Sequence, residues 1–264
     1  MRTSLAMILF GVSALATPAC AQDVLLHAAG SLRGALTEVV GAFDVASGAK
    51  VQAKYGPSGL LRDEIAGGAK AEIFASANME HPDALAKADK AGPVVMFARN
   101  RLCALVRPSF TVTSPTLLEK MLDPDVRLGM STPKADPSGD YALEVFRKAD
   151  ALKAGATATL EKKALPLTGG PNSPPPPPGR SIYGALVAER KADIFLTYCT
   201  NALVAQKENP GQYSVALPDA LAVGADYGMT LVRGASVNAE RFFKFILSAD
   251  GQRILAKHGF APPQ

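Results

Sequence analysis

Two short stretches share one local pattern, and this pattern constrains the fold more than any other feature of the chain. Residues 23–26 are strand-like and lead through small residues to Ser31, after which apolar residues recur at helical spacing. Residues 51–55 repeat the arrangement and lead to Ser58. A helix N-terminus presents unpaired N–H groups and about half a positive charge, so each turn is suited to an anion. Two such units predict two serines directed at one ligand.

Later segments continue the alternation of strands and helices. Residues 126–130 and 194–198 are apolar runs of strand length, and the second run ends at Tyr198. Ser138 lies in a third small-residue turn ahead of a predicted helix, and Ser181 opens another. Repeated strand–helix units predict an α/β fold with mainly parallel sheets covered by helices.

Two segments depart from this alternation. The stretch 167–180 contains five consecutive prolines at 174–178, which exclude a helix or a central strand. We predict an exposed polyproline loop there. Near the end of the chain, residues 238–257 carry one apolar stripe, and we predict a single long helix.

Residues 1–21 have the features of a secretory signal peptide. Arg2 is the only charged residue ahead of Asp23, an apolar run follows it, and Ala19-Cys20-Ala21 has the small-x-small pattern of a cleavage site. The run is too short for a membrane helix, which needs about 20 apolar residues. We expect cleavage after Ala21 and a periplasmic protein; a lipid anchor on Cys20 is the alternative.

The charge balance excludes some classes of partner. The chain has 28 Lys and Arg against 24 Asp and Glu, and the basic residues form no cluster. It also has no Trp. Nucleic-acid-binding proteins usually show a basic patch, so we expect no nucleic-acid partner.

Cys103 and Cys199 remain after the predicted cleavage. An exported protein meets an oxidising compartment that permits a disulfide, but both residues lie in apolar runs where buried free thiols are common. The pairing stays open at this point. The two cysteines lack the spacing of a zinc site, and the stretch 80–83, with a glutamate, a histidine and an aspartate, fits a helix start better than a metal site. We expect neither a metal nor a cofactor.

A serine hydrolase is a further possibility that the residues disfavour. Gly56-Pro57-Ser58-Gly59 begins like a nucleophile elbow, but the G-x-S-x-G pattern requires glycine where Leu60 stands. None of the three histidines has a compelling acidic partner in the sequence. We therefore expect a protein that is not an enzyme.

With its turns in this order, the chain resembles the periplasmic molybdate-binding proteins of ABC transporters. The resemblance runs from about residue 24 to about residue 262, and it depends on the order and spacing of short motifs rather than on any one of them. The motifs are Ala29-Gly30-Ser31-Leu32, Gly56-Pro57-Ser58-Gly59, Glu72-Ile73-Phe74-Ala75-Ser76-Ala77, Pro137-Ser138-Gly139-Asp140-Tyr141, Gly184-Ala185-Leu186, Tyr198 and the stretch 251–260.

The resemblance implies a two-lobed type II periplasmic binding-protein fold. Each lobe would be a mainly parallel sheet flanked by helices, and the chain would cross the hinge twice. The expected lobes are 22–102 with 229–264, and 103–228. The ligand would lie in the cleft between them. The protein would be a monomer that delivers the ligand to an ABC permease in the inner membrane.

The resemblance also implies a cage of uncharged donors around a tetrahedral oxyanion, molybdate or tungstate. Ser31 and Ser58 would each give a hydroxyl and a backbone N–H. Ser138 and Ile182 would give backbone N–H groups, and Tyr198 would give its phenol hydroxyl. Such a cage suits an oxyanion that has no proton to donate, whereas an acceptor in the site would favour a protonated ligand such as phosphate.

Some positions depart from the pattern of the resembled proteins. Ser138 stands where a small apolar residue is usual, and Glu72 and Asn78 stand where aspartates are common. The proline-rich segment ends in Arg180, close to Ile182. A guanidinium in the cleft would favour sulfate, phosphate or a carboxylate, so the alternative function is the same fold binding another oxyanion or small organic anion, or acting as a ligand sensor.

Overall fold

The computed structural model describes residues 23–263, so the predicted signal peptide lies outside the described residues. Nine strands and ten α-helices follow one another in these residues. The strands are β1 (Val24–Ala29), β2 (Val51–Gly56), β3 (Ile73–Ala75), β4 (Val95–Val106), β5 (Leu128–Ser131), β6 (Leu165–Thr168), β7 (Ile194–Tyr198), β8 (Tyr213–Ala216) and β9 (Gly224–Leu231). The helices are α1 (Arg33–Ser47), α2 (Ser58–Ala66), α3 (Glu80–Lys87), α4 (Leu117–Leu122), α5 (Pro137–Ala149), α6 (Ala156–Lys163), α7 (Ile182–Ala188), α8 (Cys199–Glu208), α9 (Val237–Leu247) and α10 (Ala249–Lys257).

The strands form two groups that share β4. In the first group β1 lies parallel to β2 and β3, and β9 is antiparallel to β3 and to the first half of β4. In the second group β5 lies parallel to β6 and β7, while β7 and β8 are antiparallel to the second half of β4. These two groups, with helices against them, confirm the predicted α/β class and two-lobed architecture.

The chain passes between the two groups at two places. Strand β4 changes partner within one step, because Arg101 pairs with Gly224 and Leu102 pairs with Tyr198. The chain returns where Val223 accepts a 3.2 Å hydrogen bond from the Leu102 N–H, and β9 belongs to the first group from Gly224 onward. The lobes 22–102 with 229–264, and 103–228, stay a prediction.

Helix α1 shows why the helices pack where they do. Leu36, Val39 and Phe43 follow one another at helical spacing and are buried. Phe43 meets Phe242 of α9, with ring centroids 5.0 Å apart. Each such side chain contributes about 1.5–3 kcal/mol through burial. This apolar face holds α1 against the first sheet group and so fixes the turn that contains Ser31.

The single helix predicted over residues 238–257 is wrong. Ser248 separates α9 from α10, and its hydroxyl accepts a 3.3 Å hydrogen bond from the Gly251 N–H. A Cβ on Gly251 would collide with the carbonyls of Phe245 and Ile246, so the sharp bend requires glycine there. The apolar stripe continues through both helices, which is why periodicity alone missed the break.

The proline-rich segment is a loop from residue 169 onward, as predicted, while its first two residues, Leu167 and Thr168, end the edge strand β6. No helix or strand occurs between β6 and α7, and Gly169 and Gly179 have positive φ angles. Among the described helices, none combines the length and apolar character needed to cross a bilayer.

Candidate anion-binding site between the two sheet groups

Ser31 is partly exposed and presents its hydroxyl to β9 rather than to its own helix. It lies in a 3₁₀ turn that precedes α1, and the α1 N-cap position falls on Leu32, without a side-chain cap. Although Ser31 directly precedes a predicted helix and is of a residue type that commonly caps helices, it does not cap α1. Its Oγ lies 3.0 Å from Oη of Tyr227.

A chain of hydrogen bonds joins Ser31 to Tyr227, Asn100 and Thr200. Asn100 accepts from the Arg101 N–H through Oδ1, so its Nδ2 donates to Tyr227 Oη at 3.3 Å and to Thr200 Oγ1 at 2.9 Å. Either hydroxyl can donate in the contact between Ser31 and Tyr227. When Tyr227 donates, Ser31 accepts and keeps its own O–H available to a ligand.

Ser58 and Tyr198 meet at the main chain of Ala77. Ser58 is the first residue of α2, and its buried Oγ accepts a 3.1 Å hydrogen bond from the Ala77 N–H. Tyr198 ends β7 in the second group, and its Oη donates to the Ala77 carbonyl at 3.4 Å. Accepting from Ala77 leaves the O–H of Ser58 free, and the long Tyr198 bond is weak enough to be exchanged for a ligand.

Three tyrosine rings pack against one another where the two sheet groups meet. The rings of Tyr198 and Tyr227 lie with centroids 5.5 Å apart, and Tyr141 meets Tyr198 at 6.2 Å. Burial raises the pKa of Tyr198 and of Tyr227, so both keep their protons at neutral pH. The structure thus places Ser58 and Tyr198 together at Ala77, and the contact between the rings of Tyr198 and Tyr227 links them to the hydrogen bond of Ser31.

Ser138 lies in the first turn of α5, but its backbone N–H already has a partner. Asp136 caps the helix, and its Oδ1 accepts from the Ser138 N–H at 3.1 Å. Burial raises the pKa of Asp136 to about 6. The hydroxyl of Ser138 is buried and makes no hydrogen bond within residues 23–263.

Ile182 is the first residue of α7, so its N–H is one that a helix leaves without an intrahelical partner. Ser181 caps this helix, because its Oγ accepts from the Gly184 N–H at 3.2 Å. The next residue, Tyr183, packs on Phe195 with ring centroids 5.3 Å apart. Burial, followed by the charge of Asp136, raises the pKa of Tyr183.

The two sheet groups touch beside these residues. The Gly59 N–H donates to the Ala135 carbonyl at 2.9 Å, and a Cβ on Gly59 would collide with the carbonyls of Lys134 and Ala135. Glycine is therefore required for this approach. Because Gly59 follows Ser58 and Ala135 precedes Asp136, the contact brings the start of α2 next to the start of α5.

A cavity of about 380 Å³ opens beside this contact and has an acidic lining. Among its acidic residues, Asp226 pairs with Arg99 at 3.1 Å. An anion that enters here passes an unfavourable field, so close-range donors rather than long-range attraction would hold it. The cavity is lined by Asn78, Met79, Glu80, Pro137, Asp140, Tyr141, Glu144, Arg147, Gly224 and Asp226.

Arg180 is exposed and donates from Nη2 to Oδ1 of Asn209 at 3.0 Å. Asn209 directly follows α8, so this contact holds the end of the proline-rich loop against that helix. The structure thus gives the guanidinium a partner at the end of α8, and not at the serine hydroxyls.

The structure resolves the open question of the two cysteines. Cys103 of β4 and Cys199, the first residue of α8, form a disulfide across a sequence separation of 96 residues. The disulfide fixes the strand shared by both groups to the residue that follows Tyr198.

No metal centre appears within the described part of the chain. There, no group of three or more His, Cys, Asp or Glu side chains is placed to hold a metal ion. The stretch Glu80–Asp83 with its histidine starts α3, as expected.

Sequence reasoning missed four residues of this site. Asp136 could have been found, because an aspartate directly before a proline and a helix is a common N-cap signal. Ala77, Asn100 and Tyr227 act through contacts between elements far apart in the chain, and no local pattern marks them.

Solved structures with this backbone are periplasmic binding proteins. The periplasmic molybdate-binding protein of Azotobacter vinelandii matches with a TM-score of 0.74 and 20% identity over 92% of this chain and 100% of that one. The sulfate-binding protein SubI of Mycobacterium tuberculosis H37Rv matches with a TM-score of 0.75 and 18% identity, over 91% of this chain and 86% of that one. At this level of identity they define the fold alone.

Relatives by sequence agree with the fold. The uncharacterized protein PM1146 of Pasteurella multocida is 35% identical over 89% of this chain and 97% of its own length. The molybdate-binding protein ModA of Mycobacterium bovis is 27% identical over 92% of this chain and 86% of its own length. Residues 24–261 match the family described as bacterial extracellular solute-binding protein, and the chain belongs to this family.

Proposed function

We propose that this solute-binding protein captures a tetrahedral oxyanion, molybdate or tungstate, between the two sheet groups and delivers it to an ABC importer. Ser31 and Ser58 give hydroxyl groups and N–H groups, Tyr198 gives its phenol, and Ser138 and Ile182 give N–H groups from the second group. The protein works as a periplasmic monomer after removal of residues 1–21. No chemical step is involved, since capture and release need only opening and closing of the lobes.

One observation carries this proposal: Ser58 and Tyr198, from opposite sheet groups, meet at the main chain of Ala77. Both hydroxyls are buried and neutral, and the Ser58 proton is free. Hydroxyl and N–H donors carry no charge and keep their protons near neutral pH, so the cage works over a wide pH range. Burial strengthens each of its hydrogen bonds. The relatives named as molybdate-binding proteins support the choice of ligand.

A second candidate is the same fold with another oxyanion. The carboxyl group of Asp136 at the start of α5 favours this candidate, because an acceptor admits a ligand that carries a proton. The match to a protein named as sulfate-binding supports a different oxyanion independently of this acceptor. A small organic anion or a sensor role would use the same cleft.

Calorimetric titration with molybdate, tungstate, sulfate and phosphate tests the function. We expect molybdate and tungstate to bind to the mature protein with similar affinity. Ser58→Ala should weaken molybdate binding by about 1–3 kcal/mol, or roughly five- to 150-fold. Ser114→Ala, at a serine outside the site, serves as the matched control and should bind like the wild type. Absence of heat and of any melting shift with all four anions would overturn the proposal.

A further inference from the structure

Asp136 places a carboxyl group where a cage built only from hydrogen-bond donors would have no acceptor. Its Oδ1 accepts the Ser138 N–H at 3.1 Å, and that N–H is one of the groups assigned to the ligand. A carboxylate there competes with the ligand for the donor and adds a negative charge to the site. The residue therefore needs a role that a donor-only cage does not give it.

The surroundings of Asp136 place it at the contact between the sheet groups. The preceding residue, Ala135, accepts the Gly59 N–H at 2.9 Å, and the following residue, Pro137, lines the interlobe cavity. The hydroxyl of Ser138, two residues after Asp136, is buried and makes no hydrogen bond within residues 23–263. An unpartnered buried hydroxyl beside a carboxyl group points to a polar ligand.

The titratable groups that face Asp136 do not supply a positive charge. Asp140 lies one turn further along α5, and the phenols of Tyr183 from α7 and Tyr198 from β7 are held protonated by burial. Burial is the largest influence on the carboxyl group and raises its pKa to about 6, while the Ser138 N–H and the Ser131 hydroxyl oppose this effect. A dianion placed beside it would raise this pKa further, because like charges disfavour the ionised form.

We propose that Asp136 makes anion binding proton-linked, so that the closed complex holds one proton between Asp136 and the ligand. This inference rests on the proposed function. Molybdate and sulfate have no proton, so Asp136 takes one from solvent and its O–H donates to the anion. Hydrogenphosphate brings its own proton, and its P–OH donates to the Asp136 carboxylate. The site therefore accepts both types of oxyanion, and pH sets its preference between them.

Calorimetry in two buffers of different ionisation enthalpy, HEPES and Tris at pH 8, measures the proton uptake directly. With sodium molybdate or sodium sulfate the wild type should take up close to one proton per anion bound, whereas with hydrogenphosphate the uptake should be close to zero. The molybdate affinity should fall about tenfold for each pH unit above the pKa of the carboxyl group.

Asp136→Asn is the decisive variant, since asparagine preserves the shape and also caps helices. It should bind molybdate without proton uptake and with an affinity that is flat between pH 6 and pH 8, and it should lose hydrogenphosphate binding. Asp140→Asn, on the same helix, should keep the proton uptake. Molybdate binding by the wild type without proton uptake would overturn the role of Asp136 alone. Failure of every anion to bind to both the wild type and Asp136→Asn, even at pH 6, would overturn the proposed function and this inference with it.

Discussion

Oγ of Ser31 lies 3.0 Å from Oη of Tyr227, a residue 196 positions later in the chain. This hydrogen bond, continued by Asn100 Nδ2 at 3.3 Å, fixes the position of the Ser31 hydroxyl, and its proton is free for a ligand when Tyr227 is the donor. Tyr227 thus prepares a donor that belongs to another strand–helix unit. Its effect on a ligand is indirect, through the orientation of Ser31.

Tyr227→Phe removes this orientation without emptying the core. We expect the molybdate affinity to fall about three- to tenfold and the free energy of unfolding to fall by about 1–2 kcal/mol, because the polar partners Asn100 and Ser31 lose a hydrogen bond. Titration calorimetry and urea unfolding measure the two effects. Tyr213→Phe is the matched control, since Tyr213 donates to the Phe110 carbonyl away from the site. The control should lose stability and keep its affinity; equal affinity losses in both variants would contradict the orienting role.

The raised pKa of Asp136 predicts an unusual pH dependence of stability in the ligand-free protein. The pKa is about 6 in the folded state against about 3.9 in an unfolded chain, so the folded state binds more protons between these values. Stability contributed by the protonated carboxyl group is complete below about pH 4 and is lost as the pH rises to about 6. Asp136→Asn should therefore be more stable than the wild type by about 1–3 kcal/mol at pH 7.5. Thermal unfolding at pH 4 and pH 7.5 checks this, and a gap that does not widen with pH would contradict it.

The stability that Asp193 contributes should depend on pH in the direction opposite to that of Asp136. Burial alone would raise its pKa, but Arg127 and Arg107 outweigh burial and hold the pKa well below its usual range. This contribution is complete above the unfolded pKa of about 3.9 and is lost as the pH falls further. Asp193→Asn should lower the free energy of unfolding at pH 7 by about 2–3 kcal/mol, measured by urea unfolding.

The matched control for Asp193 is Asp89→Asn, because Asp89 pairs with Arg233 at the exposed surface. Exposed pairs contribute at most about 1 kcal/mol, so this variant should stay within that limit. Equal losses from the buried and the exposed aspartate would show that the contacts to two arginines have no special weight.

The disulfide between Cys103 and Cys199 should stabilise the second sheet group. The double variant Cys103→Ala/Cys199→Ala should lose about 2–5 kcal/mol of unfolding free energy, as is usual for loss of a native disulfide. A reducing agent should lower the melting temperature of the wild type and leave the variant unchanged. A wild type that is insensitive to reduction would contradict a stabilising bridge.

Local patterns predict the elements of this fold well. The apolar run of β7 and the serine turns ahead of α2 and α7 are confirmed, because each depends on neighbours in the sequence. Ser31 differs, since its hydroxyl bonds to Tyr227 instead of capping α1. The sequence around Ser31 does not indicate that strand β9, almost 200 residues later, lies beside it.

In the site too, local sequence predicts the residue types, whereas contacts between distant segments set their positions. The sequence marks Ser58 and Tyr198 as polar groups at segment ends, but their joint placement at Ala77 depends on how the two sheet groups meet. The break at Ser248 has a different reason: its cap on Gly251 is local, but the apolar stripe continues through both helices and hides it. Geometry between distant segments, not residue type, is what the sequence alone leaves undetermined.

A crystal structure of the mature protein grown with sodium molybdate tests the central claim most directly, because anomalous scattering locates molybdenum without ambiguity. We expect one molybdenum between the two sheet groups, with its oxygens within hydrogen-bond distance of the hydroxyls of Ser31, Ser58 and Tyr198. Molybdenum found only at surface positions, or a complex in which Ser58 and Tyr198 keep their contacts to Ala77 and touch no anion, would contradict the account.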